Sequence, residues 1–160
     1  MTMNAHSVLL TIHIMSATVL FGLGAGTAFH MLATHFRGDI HAIASTARNV
    51  VLADWLFTST SGVVQPVTGV ILAWTAGYPL LSSWLVASYV LYIVAGACWL
   101  PVVVLQMRME RLANAAVAAQ ATTLPPAYHR AFWTWFWLGW PAFLGLVVVF
   151  WLMVAKPTLW

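Results

Sequence analysis

Between Ala131 and Ala155 the chain reads AFWTWFWLGWPAFLGLVVVFWLMVA, 25 residues without one charge. As a helix rising 1.5 Å per residue, such a run is about 37 Å long and exceeds the ~30 Å hydrocarbon thickness of a bilayer. The alternation of a membrane β-strand is absent. Backbone groups in lipid must find partners within their own segment, so the run is a helix. Working outward, the same test selects Leu81–Met107, Asn49–Ala76 and Ser7–Leu32. The expectation is an all-α, polytopic membrane four-helix bundle in one domain, residues 1–160, with spans at about 7–32, 49–76, 81–107 and 131–155.

Composition supports that reading. Of 160 residues, 62% are hydrophobic and 6% charged, and the mean hydropathy is +0.91. Soluble domains carry roughly 25% charged residues. Six Lys and Arg make no basic patch large enough for nucleic acid. A single cysteine, Cys98, excludes a disulfide scaffold. The bilayer is therefore the first expected partner, followed by another membrane protein or further copies of the chain.

Local chemistry marks the breaks. Gly77-Tyr78-Pro79 separates the second and third spans, Pro125-Pro126 precedes the fourth, and His35-Phe36-Arg37-Gly38-Asp39 follows the first. The Ala-rich stretch from Asn114 to Ala121 extends the third helix into water, alanine being the best helix former. Arg37, Arg48, Arg108, Arg111 and Arg130 fall in the first and third connections, and Lys156 stands alone at the other end. The positive-inside rule then makes loops 33–48 and 108–130 cytoplasmic, in an inner (plasma) membrane, with both termini outside. The first span lacks a basic leader and is too long for the apolar region of a signal peptide.

Polar residues inside a span usually face the bundle interior. In the second span Thr58, Ser61, Gln65 and Thr68 recur within about 40° of Asp54 at 100° per residue. Pro66 breaks the backbone bonding in the middle of that stripe. The third span presents Ser88, Tyr92, Ala95, Trp99 and Gln106 on one face, with a second proline at Pro101. Gly22 and Gly26 form a small-xxx-small pair suited to close helix packing. Trp133, Trp137, Trp140 and Trp151 share one face of the fourth span, opposite Trp135. Two readings of the stripes stand side by side: interhelical glue, or the lining of a site. Asp54 is either an ion-pair partner of Arg48 or a group that handles protons or a cofactor propionate.

Six histidines accompany only three acids. His6, His35 and His41 read as interfacial or solvated. His13 lies about two turns inside the first span. His30 lies 17 residues further on, roughly 25 Å along the axis, so the two cannot share a ligand. Neutral imidazole binds haem and metals, and a buried ring needs partners for its nitrogens. Ala17 and Gly24 lie on the His13 face and are small enough to clear a flat macrocycle. Met153 stands at a matching depth as a second ligand, a second copy's His13 being the alternative. His30 with His129 is a lesser option for a cytoplasmic-side site. The sequence has no phosphate loop, HExxH, CxxC or paired membrane carboxylates, so it names no reaction.

The runs Ala53-Asp54-Trp55-Leu56-Phe57-Thr58 and Gln65-Pro66-Val67-Thr68-Gly69 resemble a family of predicted integral membrane proteins, domain-of-unknown-function family 2269. So do Trp99-Leu100-Pro101-Val102-Val103 with Gln106 and Arg108, Leu124-Pro125-Pro126, and Phe150-Trp151-Leu152-Met153-Val154-Ala155-Lys156-Pro157. The resemblance covers nearly the whole chain and implies no activity. More distantly, Ile12-His13-Ile14 with Phe21-Gly22 is similar to the first helix of copper-resistance D type membrane proteins and of haem-b-type protoporphyrinogen oxidase. That similarity implies His13 as a haem ligand. Trp84 is followed by Leu85, Val86, Ala87 and Ser88, without the basic residue of the oxidase, so porphyrinogen oxidation is not implied.

Three functions follow as expectations. The first is a haem b protein that carries electrons for a membrane redox partner, with His13 as ligand and Ala17, Gly24, Asp54, Gln65, Trp99 and Met153 around the group. The second is a non-enzymatic accessory subunit packed against a larger membrane complex. The third is a small transporter or channel lined by the stripe of the second span.

Overall fold

The computed structural model describes residues 4–160. Five α-helices make four membrane-length rods: α1 (Ala5–Arg37), α2 (Ile40–Ala53) running through a π-helical turn at Asp54–Thr58 into α3 (Ser59–Thr75), α4 (Ser83–Ala118) and α5 (Pro126–Ala155). No strand occurs among the described residues. Each rod is long and apolar enough to cross a bilayer.

The rods are longer than the apolar runs that announce them. The expected loop at 33–48 shrinks to Gly38 and Asp39. Gly38 takes a left-handed φ of 74°, which an L side chain resists, and its N–H closes α1 on the His35 carbonyl. The Asp39 carboxylate accepts the N–H groups of His41 and Ala42 at 2.9 and 3.3 Å, so α2 starts at once. His35 and His41 therefore sit on helices. The interval 108–130 shortens likewise: α4 runs on to Ala118, and α5 begins at Pro126, whose missing N–H costs nothing in a first turn.

The core is divided. At the end holding the first and third connections, Met31, Ile43, Val50, Met109, Tyr128 and Phe132 are fully or almost fully buried in one cluster. At the opposite end a smaller cluster joins Ala73, Trp84, Leu85 and Leu152. That end is also fastened by polar contacts. Lys156 Nζ donates to the Tyr78 hydroxyl at 2.7 Å and sits 4.5 Å above its ring, and the Leu159 N–H donates to Ser83 Oγ at 2.9 Å. In the membrane interior between the clusters, α1 meets α5 through Phe21, stacked 4.9 Å from Phe143 and edge-on to Phe150. Elsewhere at that depth, polar side chains tie the helices together.

Packing follows pairs: α1 lies along α3, α2 along α4, and α4 along α5, while α1 and α5 scarcely touch. Gly22 and Gly26 do not serve a close contact within the chain. A side chain built at either one meets no atom within 4 Å.

Candidate functional site

The stripe of the second rod turns inward, with Asp54, Thr58, Ser61 and Thr68 buried. Its upper half meets α1. Thr68 donates its hydroxyl proton to the Val64 carbonyl at 2.7 Å. Its oxygen then accepts from His13 Nδ1 at 2.8 Å, which fixes the His13 tautomer and leaves the lone pair on Nε2. Gln65 Nε2 donates to that lone pair at 3.1 Å. Gln65 Oε1 in turn accepts from Ser16 at 2.6 Å. Ser16 lies three residues beyond His13 on the same helix face. All four side chains are satisfied in one directed chain. The Cε1 edge of the imidazole points at Gly69, where a Cβ would stand 3.1 Å from His13 Cε1. A side chain there would hold α1 and α3 apart.

Pro66 opens a second polar link. Lacking an N–H, it leaves the Gly62 carbonyl without its helical donor. The Tyr92 hydroxyl on α4 supplies one at 2.8 Å.

This arrangement does not fit haem at His13. The Nε2 lone pair that would take iron is occupied by the Gln65 amide. Met153 packs against the Ala73–Trp84–Leu85–Leu152 cluster at the end of the bundle. Of the other expected wall residues, Gly24 faces open space, Ala17 is half-buried, and Trp99 is half-buried with its Nε1 enclosed and without an acceptor.

The lower half of the stripe holds Asp54, in the π-helical turn where the Ser59 N–H reaches back to the Asp54 carbonyl. Its side chain is 4% exposed. Thr58 donates to Oδ1 at 2.8 Å, and Gln106 of α4 approaches the same carboxyl group. Arg48 is exposed and does not act on it. Gln106 was legible as part of the α4 polar face but carried no sign of its partner. Ser16 and Thr68 read only as glue.

His30 and His129 do not pair. His30 is exposed, with Nε2 3.3 Å from Thr46 Oγ1. His129 instead neighbours His35, ring centres 5.5 Å apart, and His35 stacks on Phe132 at 3.6 Å. His35 and His129 border a cleft of about 200 Å³ with Thr122 and Thr123. Among the described residues no three His, Cys, Asp or Glu side chains gather as metal ligands do.

Four apolar rods and the motif runs along them agree with one comparison: the model of a family described as predicted integral membrane protein (DUF2269) matches residues 7–157. The chain belongs to that family. The match takes in all four rods, the His13 network and Asp54, so these features lie in the family's own segment. No curated protein and no solved structure matches the chain.

Proposed function

We propose that this integral membrane protein is a non-enzymatic helical subunit, set in the inner membrane with both termini outside and docked through α1 against a helix of a larger membrane complex. One observation carries the reading. A Cβ built on Gly22 or Gly26, one turn apart on α1, meets no atom of the chain within 4 Å. Beside them lies an open crevice of about 420 Å³ lined by Thr18, Val19, Leu23 and Phe57. In lipid, helix association comes from close van der Waals packing, and a ridge of small residues lets a second backbone approach. Of the 33 residues of α1 only Ser16, Met31 and Thr34 are buried. The exposed Trp137, Trp140 and Trp151 offer α5 a second apolar face.

A photo-cross-linking residue at Gly22, with Val154 as lipid-facing control, tests this in native membranes. A discrete adduct with a different protein from position 22, absent from the control, is the expected outcome. Adducts with lipid alone refute docking. An adduct of twice the chain's mass replaces the larger complex with a homo-oligomer. The competing reading is a haem b redox protein. It requires Gln65 to leave His13 Nε2 and a second ligand from beyond the chain. A Soret band in the purified protein, lost in His13→Ala, would decide for it.

A further inference from the structure

The Asp54 region carries an observation that helix docking does not use. Asp54 and Gln106 are each 4% exposed, and Gln106 Oε1 is enclosed without any hydrogen-bond donor. An ionised carboxylate only accepts hydrogen bonds. It would be a charge in the span interior with no counter-ion, a far costlier state than a buried neutral group. The groups acting on the Asp54 carboxyl are Thr58 and Gln106, with no Lys, Arg or His among them. On the helices packed against this turn, Arg48 of α2 and Arg108 of α4 are exposed, and His30 of α1 is exposed and bonded to Thr46.

A carboxylic acid removes that charge. Thr58 donates to Oδ1, and a proton on Oδ2 has an acceptor in Gln106 Oε1 once the neighbouring amide is turned to face it. We propose that Asp54 is an intramembrane proton-binding site, a neutral acid whose proton is held by Gln106. When the proton leaves, the Asp54 O–H bond breaks and the proton passes to water on the side of the first connection, about 9 Å along the axis at Arg48, six residues away. The Gln106 amide then turns over, so that its NH₂ donates to the carboxylate. An amide supports both states by rotation about one terminal bond. The π-helical turn at Asp54–Thr58 stands at this site, and such turns occur frequently at functional sites.

Infrared spectroscopy of the full chain in lipid nanodiscs, with aspartate carboxyl carbons labelled with ¹³C, tests the site. At pH 7 the expected result is a protonated-carboxyl C=O band that moves with the label, vanishes in Asp54→Asn and survives in Asp39→Asn. Gln106→Leu should shift the band to higher frequency, because the acid loses its acceptor. Raising the pH should remove the band reversibly. A folded wild-type protein showing only carboxylate bands at pH 7 overturns the proposal, and that includes the case of a bound monovalent cation. A band that persists in Asp54→Asn overturns it too. The decisive measurement is on the unsubstituted chain, so it stands even where a variant fails to fold. It is also independent of whether α1 takes a partner.

Discussion

Tyr92→Phe isolates the link between a missing proton donor and a helix contact. The substitution keeps the ring and removes only the O–H that reaches the Gly62 carbonyl at 2.8 Å. Interhelical hydrogen bonds in membranes average about 0.6 kcal/mol and reach about 1.7, because most groups find another partner when one is lost. The Gly62 carbonyl cannot fall back on its ordinary helical donor, since Pro66 has no N–H. The cost should therefore lie near the upper end, about 1.5 kcal/mol, or roughly a tenfold loss in the folding equilibrium constant. Pro66→Ala restores that N–H. In its background the Tyr92→Phe cost should fall to about 0.5 kcal/mol, leaving a coupling of about 1 kcal/mol. Titration of mixed micelles with a denaturing detergent, followed by tryptophan fluorescence, measures all four corners of the cycle. Equal costs in both backgrounds, within the ~0.3–0.5 kcal/mol typical of independent sites, would refute the argument that the proline creates the need for Tyr92.

Gly69→Ala sets about 1 kcal/mol of helix propensity against overpacking of about 1–3 kcal/mol on a ring pinned at both nitrogens, so the same titration should find it less stable than Gly62→Ala, whose new methyl meets only Tyr92 Oη at 4.0 Å. Asp39→Ala removes the cap of α2 and should cost about 1 kcal/mol, with faster amide exchange at His41 and Ala42 and unchanged exchange in α5. Reporter fusions should place Gly77 outside the cell and Ala118 inside, and the opposite pair would reverse the five-to-one arginine and lysine argument.

The four rods were legible because lipid demands about 20 apolar residues per crossing, and few other features supply them. Helix ends were less so. Segments such as Ile40–Ala53 are too polar to register as membrane-spanning, and their helicity rests on the Gly38 and Asp39 caps. The inward stripe was readable from periodicity, because Asp54, Thr58, Ser61 and Thr68 repeat on one side. The partner of His13 was not readable. Which residue of α3 stands beside it depends on how far the two helices slide past one another, and Gly69 sets their separation only once they meet. Gly22 and Gly26 showed a small-residue ridge without showing that no helix of the chain fills it. Nothing in the order of residues announces a π-helical turn, because Asp-Trp-Leu-Phe-Thr suits an ordinary helix equally well.

That turn acts as an indexing joint in a single rod. The half before it, α2, packs along α4, and the half after it, α3, packs along α1. A π-helical turn inserts one residue more than an α-turn, so the downstream half is indexed by roughly 100° relative to an unbroken α-helix. The two halves of the rod can thus keep different neighbours without a loop between them. Loss of one residue anywhere in 54–58 would be a rotation more than a shortening: α2 would stay seated on α4 while Gln65 and Thr68 swung away from His13. Length changes in this rod would be tolerated only in compensating pairs, one on each side of the joint.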